Sequence, residues 1–261
     1  MSEADDDVLQ VRFEGLIAVM TMNNPQRMNA FGLAMRTQMY QRLLELEANE
    51  ACRAIVLTGA GGNFCSGGDI SEMRHREIIE ARMRFDLATR IFKLLVNGPK
   101  PFLTAIEGNA AGCGVSFVAA SDYAVAASNA KFSCAFMRVG LIPDVGGIWS
   151  LPRKVGHRKA MEMYAFADPV DAQEALRIQL VNTLCEPGKA LEEAMTVAEK
   201  FARNPAVAMA LLRSALNTGN DTADLAVATE INYQSVLMNS DDYKEAAQAF
   251  MEKRKPEFRG T

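Results

Sequence analysis

Strand-like apolar runs and helical apolar stripes alternate along the first half of the chain. Two runs open it, VLQVRF (8–13) and LIAVMTM (16–22), and Gly15 between them predicts a hairpin. After a break at NNPQR (23–27), Leu33, Met35, Met39, Leu43 and Leu46 recur at mostly helical steps, predicting a helix that ends near Glu47. AIVLTG (54–59) is a continuous apolar run closed by Gly59, Gly61 and Gly62, the pattern of a buried strand. From 77 to 96, Ile78, Ala81, Phe85, Ala88, Phe92 and Leu95 step by three and four, an amphipathic helix stopped by Gly98, Pro99 and Pro101. A strand over 101–108, a small-residue buried helix over 110–120 and short strands at 123–127 and 131–133 follow.

From about residue 146 onward the chain predicts mostly helix. Asn204-Pro205 is a cap-and-first-turn signal, with Val207, Ala208, Leu211, Leu212 and Ala215 as the stripe behind it. Ser240-Asp241-Asp242 begins a last helix that ends in Lys253, Arg254 and Lys255, a charge order that suits the helix dipole. Strand–turn–helix units followed by helices predict an α/β domain carrying a helical region for oligomerisation. No linker rich in Pro, Gly or Ser separates the two.

Composition narrows the chemistry. The 261 residues are 49% hydrophobic and 23% charged, enough for one large core and unlike a disordered chain. Twenty-eight Lys plus Arg against 32 Asp plus Glu leave a net charge of −4, so the whole-chain field favours neither nucleic acid nor an anionic membrane. Only His75 and His157 are present, which argues against a His-rich metal site or a Ser-His-Asp triad. The five cysteines never form a C-x-x-C pair, unlike a disulfide framework or a structural zinc site. The acidic stretch at 2–7 is no signal peptide, and no apolar run reaches the roughly 18 residues of a membrane span. The expected compartment is the cytoplasm.

Three segments could carry chemistry. GGNFCSGGDI (61–70) places glycines after a buried strand, so that several N–H groups can point into one concavity. The nest could hold a phosphate or a developing oxyanion; it could also be a tight loop with Asp69 as a helix cap. It lacks the G-K-[ST] of a Walker loop and does not match G-x-G-x-x-G. In EGNAAGCGVSF (107–117), Gly112, Cys113 and Gly114 open a helix directly after a strand, for exposed N–H groups or for close packing. One N–H from each segment could form a two-donor oxyanion hole. In RVGLIPDVGG (138–147), Asp144 precedes a helix starting near Gly146, either as its N-cap or as a carboxylate base beside an apolar pocket.

At these segments the chain resembles the enoyl-CoA hydratase/isomerase (crotonase) superfamily. MNNPQRMNAFG (22–32), IVLTGAGGNFCSGGDISEM (55–73), AIEGNAAGCGVSFVAASD (105–122), VGLIPDVGG (139–147) and KRKPEF (253–258) look like its motifs, in order. The resemblance implies a ClpP/crotonase-like α/β spiral of ββα units over residues 1–195. A helical C-terminal trimerisation region would occupy 196–261, within a homotrimer or a homohexamer. It implies an acyl-CoA thioester substrate, with CoA part of the substrate and no separate cofactor. The family's oxyanion hole falls on the backbone N–H groups of Gly68 and Cys113. Phosphate contacts fall on Arg27 and on Lys253, the latter reaching over from a neighbouring subunit. Pantetheine and adenine contacts fall on Ala30, Ser66, Asp69 and Ile70. Arg74, His75 and Arg76 form a basic cluster near that phosphate region.

The departures direct the expected reaction. The two water-activating glutamates of the family's hydratases are replaced by Ser116 and Phe136, neither of them a carboxylate. Asp144 lies where some isomerases of the family carry their single acidic base. The expected activity is therefore a double-bond shift from 3-enoyl-CoA to 2-enoyl-CoA, with Phe136, Met73 and Met137 keeping the site apolar. The alternatives are a hydratase with relocated acid/base groups and a CoA-binding relative without catalysis. A dehalogenase with Asp144 as nucleophile would want a Trp at Phe136.

Overall fold

The computed structural model describes residues 7–219 and 221–260; of the acidic stretch at 2–7, only Asp7 lies among them. Strands β1 (Leu9–Glu14) and β2 (Ile17–Met22) form the expected antiparallel hairpin, and α1 (Leu33–Ala48) follows. Next come β3 (Ala54–Gly59), α2 (Ile78–Asn97), β4 (Phe102–Ile106), β5 (Asn109–Ala111), α3 (Cys113–Ala120), β6 (Tyr123–Ala127) and β7 (Lys131–Ser133). The second half runs α4 (Gly147–Val155), α5 (His157–Phe166), β8 (Val170–Asp171), α6 (Ala172–Arg177), β9 (Thr183–Cys185) and α7 (Ala190–Ala202). Helices α8 (Ala206–Asn217), α9 (Ala223–Leu237) and α10 (Asp241–Glu252) close the chain.

The main sheet has the order β1-β2-β3-β4-β6-β9 and is parallel from β2 onward. A smaller sheet, β5-β7-β8, stands beside it. Both faces of the main sheet are covered, which is why its central strands read as unbroken apolar runs. Alternate residues divide between the faces. Val56, Leu103, Ala105 and Val125 meet Ala190, Ala194, Ala198 and Ala202, a stripe of alanines that lets α7 lie close. Ile55, Leu57, Phe102 and Ile106 meet the larger core formed with α1, α2 and α3. Helix α7 runs through residue 195, where the sequence places its division, and packs on the sheet throughout its length.

Several expectations are corrected. The helix expected over 110–120 begins only at Cys113, because 109–111 pair with β7 and Gly112 turns the chain at φ +53°. The second half is mostly helical as expected, and it also contains β8 and β9, strands of two and three residues that are too short to show a period. Leu33 is exposed, and Arg36 takes a buried position on α1 in its place. Asn204 does not cap α8. It donates to the carbonyls of Lys200 and Phe201 at the end of α7, and Pro205 stands at the head of α8. On α2 only the second half of the stripe is buried, and Ile78 and Phe85 face outward. Ser240 does cap α10, accepting from the Tyr243 N–H. No helix among the described residues is long and apolar enough to cross a membrane.

Candidate active site

The loop after β3 and the loop before α3 are stitched together by their backbones. Phe64 and Cys65 N–H both donate to Asn109 O, and Ala111 N–H donates to Cys65 O (2.8 Å). Asn63 Oδ1 accepts from Asn109 Nδ2 (2.7 Å). Gly108 and Gly62 pass so closely that a Cβ on Gly108 would lie 2.2 Å from Gly62 O. Asn29, fully buried, ties the same loop to the chain before α1: its Nδ2 donates to Ala60 O and Asn63 O, and its Oδ1 accepts from Asn24 N–H.

This stitching brings Gly68 and Cys113 together. Phe31 N–H donates to Gly67 O (2.7 Å), and Gly67 rests against Ala111 and Gly112. The next N–H in each loop, that of Gly68 and that of Cys113, forms no hydrogen bond with the rest of the described chain. For Cys113 the reason is its place at the first position of α3, where an N–H has no partner within the helix. Gly68 has open space around its Cα, so a bound group can approach it. The Cys113 side chain is buried against Cys65. The hydrogen bond with Cys65, then burial, push its thiol well above the usual range, which fits packing rather than a nucleophile.

Asp144 does not cap α4. The residue at that helix start is Gly146, in the left-handed region, and no side chain caps it. Burial instead raises the Asp144 carboxyl above the usual range, with Arg36 and Arg84 pulling in the opposite direction. Its Oδ1 is buried without a hydrogen-bond partner. The turn carrying it is fixed from three sides. The Phe92 ring fills the space beside Gly146, Ser116 Oγ lies against Gly147, and Tyr164 OH donates to Gly147 O (2.7 Å). Val145 is held at φ +49°, a costly conformation for a β-branched residue and one that clusters at functional sites. Phe136 is buried near Gly112 and edge-on to Tyr164. Met73 and Met137 are about half exposed and do not seal the site.

Of the positions expected to touch CoA, five gather beside this loop. Arg27 Nη1 bonds Asp69 Oδ2 and Ser71 Oγ (both 2.8 Å), and Asp69 Oδ1 caps the short 3-10 turn at 70–72 by accepting from Ser71 N–H. Hydrogen bonds with Ser71 and Arg27 hold the Asp69 carboxyl below its ordinary value, against the opposing effect of burial. Ser66 donates to Arg27 O and Met28 O. Ala30 is buried, whereas the Ile70 side chain is largely exposed. Lys253 stands apart at the end of α10, and the tail after it docks on Arg53, at the opposite end of β3 from Gly59. Arg74 and Arg76 are engaged with Glu80 rather than free for a phosphate.

The α/β fold brings two unpartnered N–H groups on paired strand-to-helix loops close to a half-buried carboxylate, an arrangement able to stabilise a developing oxyanion. Comparison with known proteins gives the family. The enoyl-CoA hydratase/isomerase family model matches residues 12–261, and the chain belongs to that (crotonase) superfamily. It is 32% identical to the 1,2-epoxyphenylacetyl-CoA isomerase of Escherichia coli, covering 94% of this chain and 95% of that protein. It is 36% identical to the short-chain-enoyl-CoA hydratase of Clostridium acetobutylicum, covering 94% of each. Among solved structures, an enoyl-CoA hydratase from Polaromonas superposes with a TM-score of 0.90 at 31% identity, over 96% of this chain and 99% of that one.

Sequence reading missed Arg36, Asn29 and Val145. Asn29 and Val145 occupy left-handed backbone positions, a property no periodicity reveals. Arg36 falls on the apolar face of α1, where counting hydrophobic residues passes over it.

Proposed function

We propose that the protein is an enoyl-CoA isomerase that converts 3-enoyl-CoA thioesters into 2-enoyl-CoA thioesters. The observation that carries this reading is the Asp144 carboxyl, half-buried with its Oδ1 unpartnered, close to two unpartnered backbone donors, with Ser116 and Phe136 where the family resemblance puts the hydratase glutamates. The thioester oxygen sits between the Gly68 and Cys113 N–H groups. Asp144 removes a proton from C2, and the electron pair passes into a dienolate whose oxygen those donors stabilise. The double bond moves to C2–C3 as C4 takes the proton back from Asp144. One base suffices because C2 and C4 share a face of the planar dienolate. Phe136 removes a polar partner that a hydrating water would need.

Arg27, Ala30, Ser66, Asp69 and Ile70 hold the CoA portion, and Lys253 serves a neighbouring subunit. A homo-oligomer is supported by the outward Leu216, Ile231, Phe250 and Met251 on α8–α10. The second reading is a hydratase, favoured by the activity named for the Clostridium relative. The test offers 3-enoyl-CoA and 2-enoyl-CoA separately and follows conjugation and hydration by absorbance. Conjugation without hydration supports the isomerase, hydration supports the second reading, and retention of CoA with neither reaction leaves a binding protein.

A further inference from the structure

Among the described residues, two buried side-chain atoms lack a hydrogen-bond partner, Arg36 Nε and Asp144 Oδ1. One belongs to a cation and the other to an anion. Arg36 is 3% exposed, and its guanidinium lies over the Phe31 ring, 5.1 Å from the centroid. Phe31 in turn meets the Phe117 ring of α3 at 5.0 Å, and its N–H holds Gly67. Arg36 is thereby stacked under the loop that carries Gly67, with no side-chain hydrogen bond among the described residues. A cation buried without hydrogen bonds is costly, and it persists where a nearby opposite charge or a bound group compensates it.

The neighbouring charges identify that compensation. The groups facing Arg36 are Arg84 from α2, Glu72 from the turn at 70–72, Cys113 from α3 and Asp144. Glu72 is already committed, accepting from Leu33 N–H (2.7 Å) and pairing with Arg84. Cys65 and Cys113 are the thiols that face Asp144, and Tyr164 spends its hydroxyl hydrogen on Gly147 O. Arg84 faces Asp144 as well but is paired with Glu72, so Asp144, with Oδ1 unpartnered, is the carboxylate left for Arg36.

We propose that Arg36 is a positioning residue for Asp144, the buried counter-charge that keeps its carboxylate ionised and able to accept a proton from the acyl chain. This rests on Asp144 being the base. Hydrogen-bond contact between the two would tie up the carboxylate; action through space leaves Oδ1 free to take the proton from C2 and return it to C4.

The test replaces Arg36 by Met, which keeps the length and a favourable contact with the Phe31 ring. With 3-enoyl-CoA as substrate, the acid limb of the kcat/KM profile should move to higher pH by about one unit or more, while the alkaline plateau stays within a few-fold of wild type. Arg36→Lys should return the limb toward its original place. Titration of the 13C-labelled Asp144 carboxyl in the ligand-free protein should move in step, a readout that requires no turnover. Should the Met variant fail to fold, Arg36→Gln carries the same comparison. An unmoved limb and an unmoved carboxyl titration, with Asp144→Asn inactive, would overturn the counter-charge and leave the base in place. An active Asp144→Asn would overturn both.

Discussion

Gly67 and Gly112 meet backbone to backbone, each in the left-handed region, at φ +95° and +53°. A Cβ on Gly67 would lie 3.1 Å from Ala111 O and 3.5 Å from Gly112 Cα, and one on Gly112 would lie 3.4 Å from Gly67 Cα. The spacing of the Gly68 and Cys113 N–H groups, the proposed oxyanion donors, is set by this contact, since the two residues follow directly in each loop. Gly67→Ala should therefore push the loops apart and strain the backbone, lowering stability by about 1–3 kcal/mol. It should lower kcat/KM for 3-enoyl-CoA by about 10²–10³-fold, the usual cost of a lost oxyanion donor. Circular dichroism melting and steady-state kinetics on the same sample separate the two effects.

Asp144→Asn should lower kcat by about 10²–10⁴-fold, the range for a positioned acid/base group. The same change should raise the melting temperature at neutral pH. Burial lifts the Asp144 carboxyl above its unfolded value, so the native state binds a proton more readily than the unfolded one. Stability linked to this group is then greatest below the unfolded value near 4 and falls as pH rises through the folded value. Asparagine removes that loss. Melting curves at pH 4 and pH 7 should show the gap between variant and wild type opening at the higher pH.

Much of this arrangement is legible in the chain and part of it is not, for physical reasons. Gly61 and Gly62 mark the turn after β3 because positive-φ positions favour glycine, and Gly59 ends the strand where a Cβ would strike Asn63 O, so the nest can be located by composition. Gly112 before a helix of small residues likewise marks the second donor. The sheet's central strands are visible because burial on both faces requires unbroken apolar runs. Asp144 can be located, but its role as cap or base depends on whether its carboxylate caps α4, and it does not: no side chain caps that helix, and Oδ1 is left buried without a partner. Arg36 is invisible because charge on a helix is read as solvated, whereas the ring of Phe31 holds this one inside. β8 and β9 follow from strand edges offered by distant segments, which no local pattern encodes.

Glu107 anchors α7 to the end of β4. Its carboxylate accepts from Gly188 N–H (3.0 and 3.1 Å to its two oxygens) and from Ala190 N–H (3.0 Å), supplying the partners that the start of α7 lacks. An anion at a helix N-terminus is favoured by both capping and the helix dipole. Glu107→Ala should cost about 1–2 kcal/mol, measured as a shift in the urea midpoint. Hydrogen exchange should quicken first in the opening turn of α7, because the alanine stripe still holds the remainder to the sheet.

Arg213 fastens the C-terminal helices to the core. It is buried on α8, donates from Nε to Asp122 Oδ2 (2.8 Å) and from Nη2 to Leu95 O (2.7 Å), and its Nη1 reaches Gly98 O. Asp122 accepts in addition from Phe102 N–H at the start of β4, so one ion pair joins α8, the end of α2 and the sheet. Removing the cation leaves a partly buried carboxylate and two carbonyls without their donor. Arg213→Met should lower stability by about 3–5 kcal/mol, the range for a broken buried pair. Added salt should change that loss little, because screening hardly reaches a pair this sheltered. Asp122→Asn in the Arg213→Met background should cost less than it does alone, since the two residues act as a unit, with a coupling of about 1–3 kcal/mol in a double-mutant cycle. Helix α9 is attached through α8, by Ser214 Oγ and Tyr233 OH at 3.2 Å among other contacts. Limited proteolysis of Arg213→Met should accordingly cut first between α8 and α9, before the sheet core is attacked.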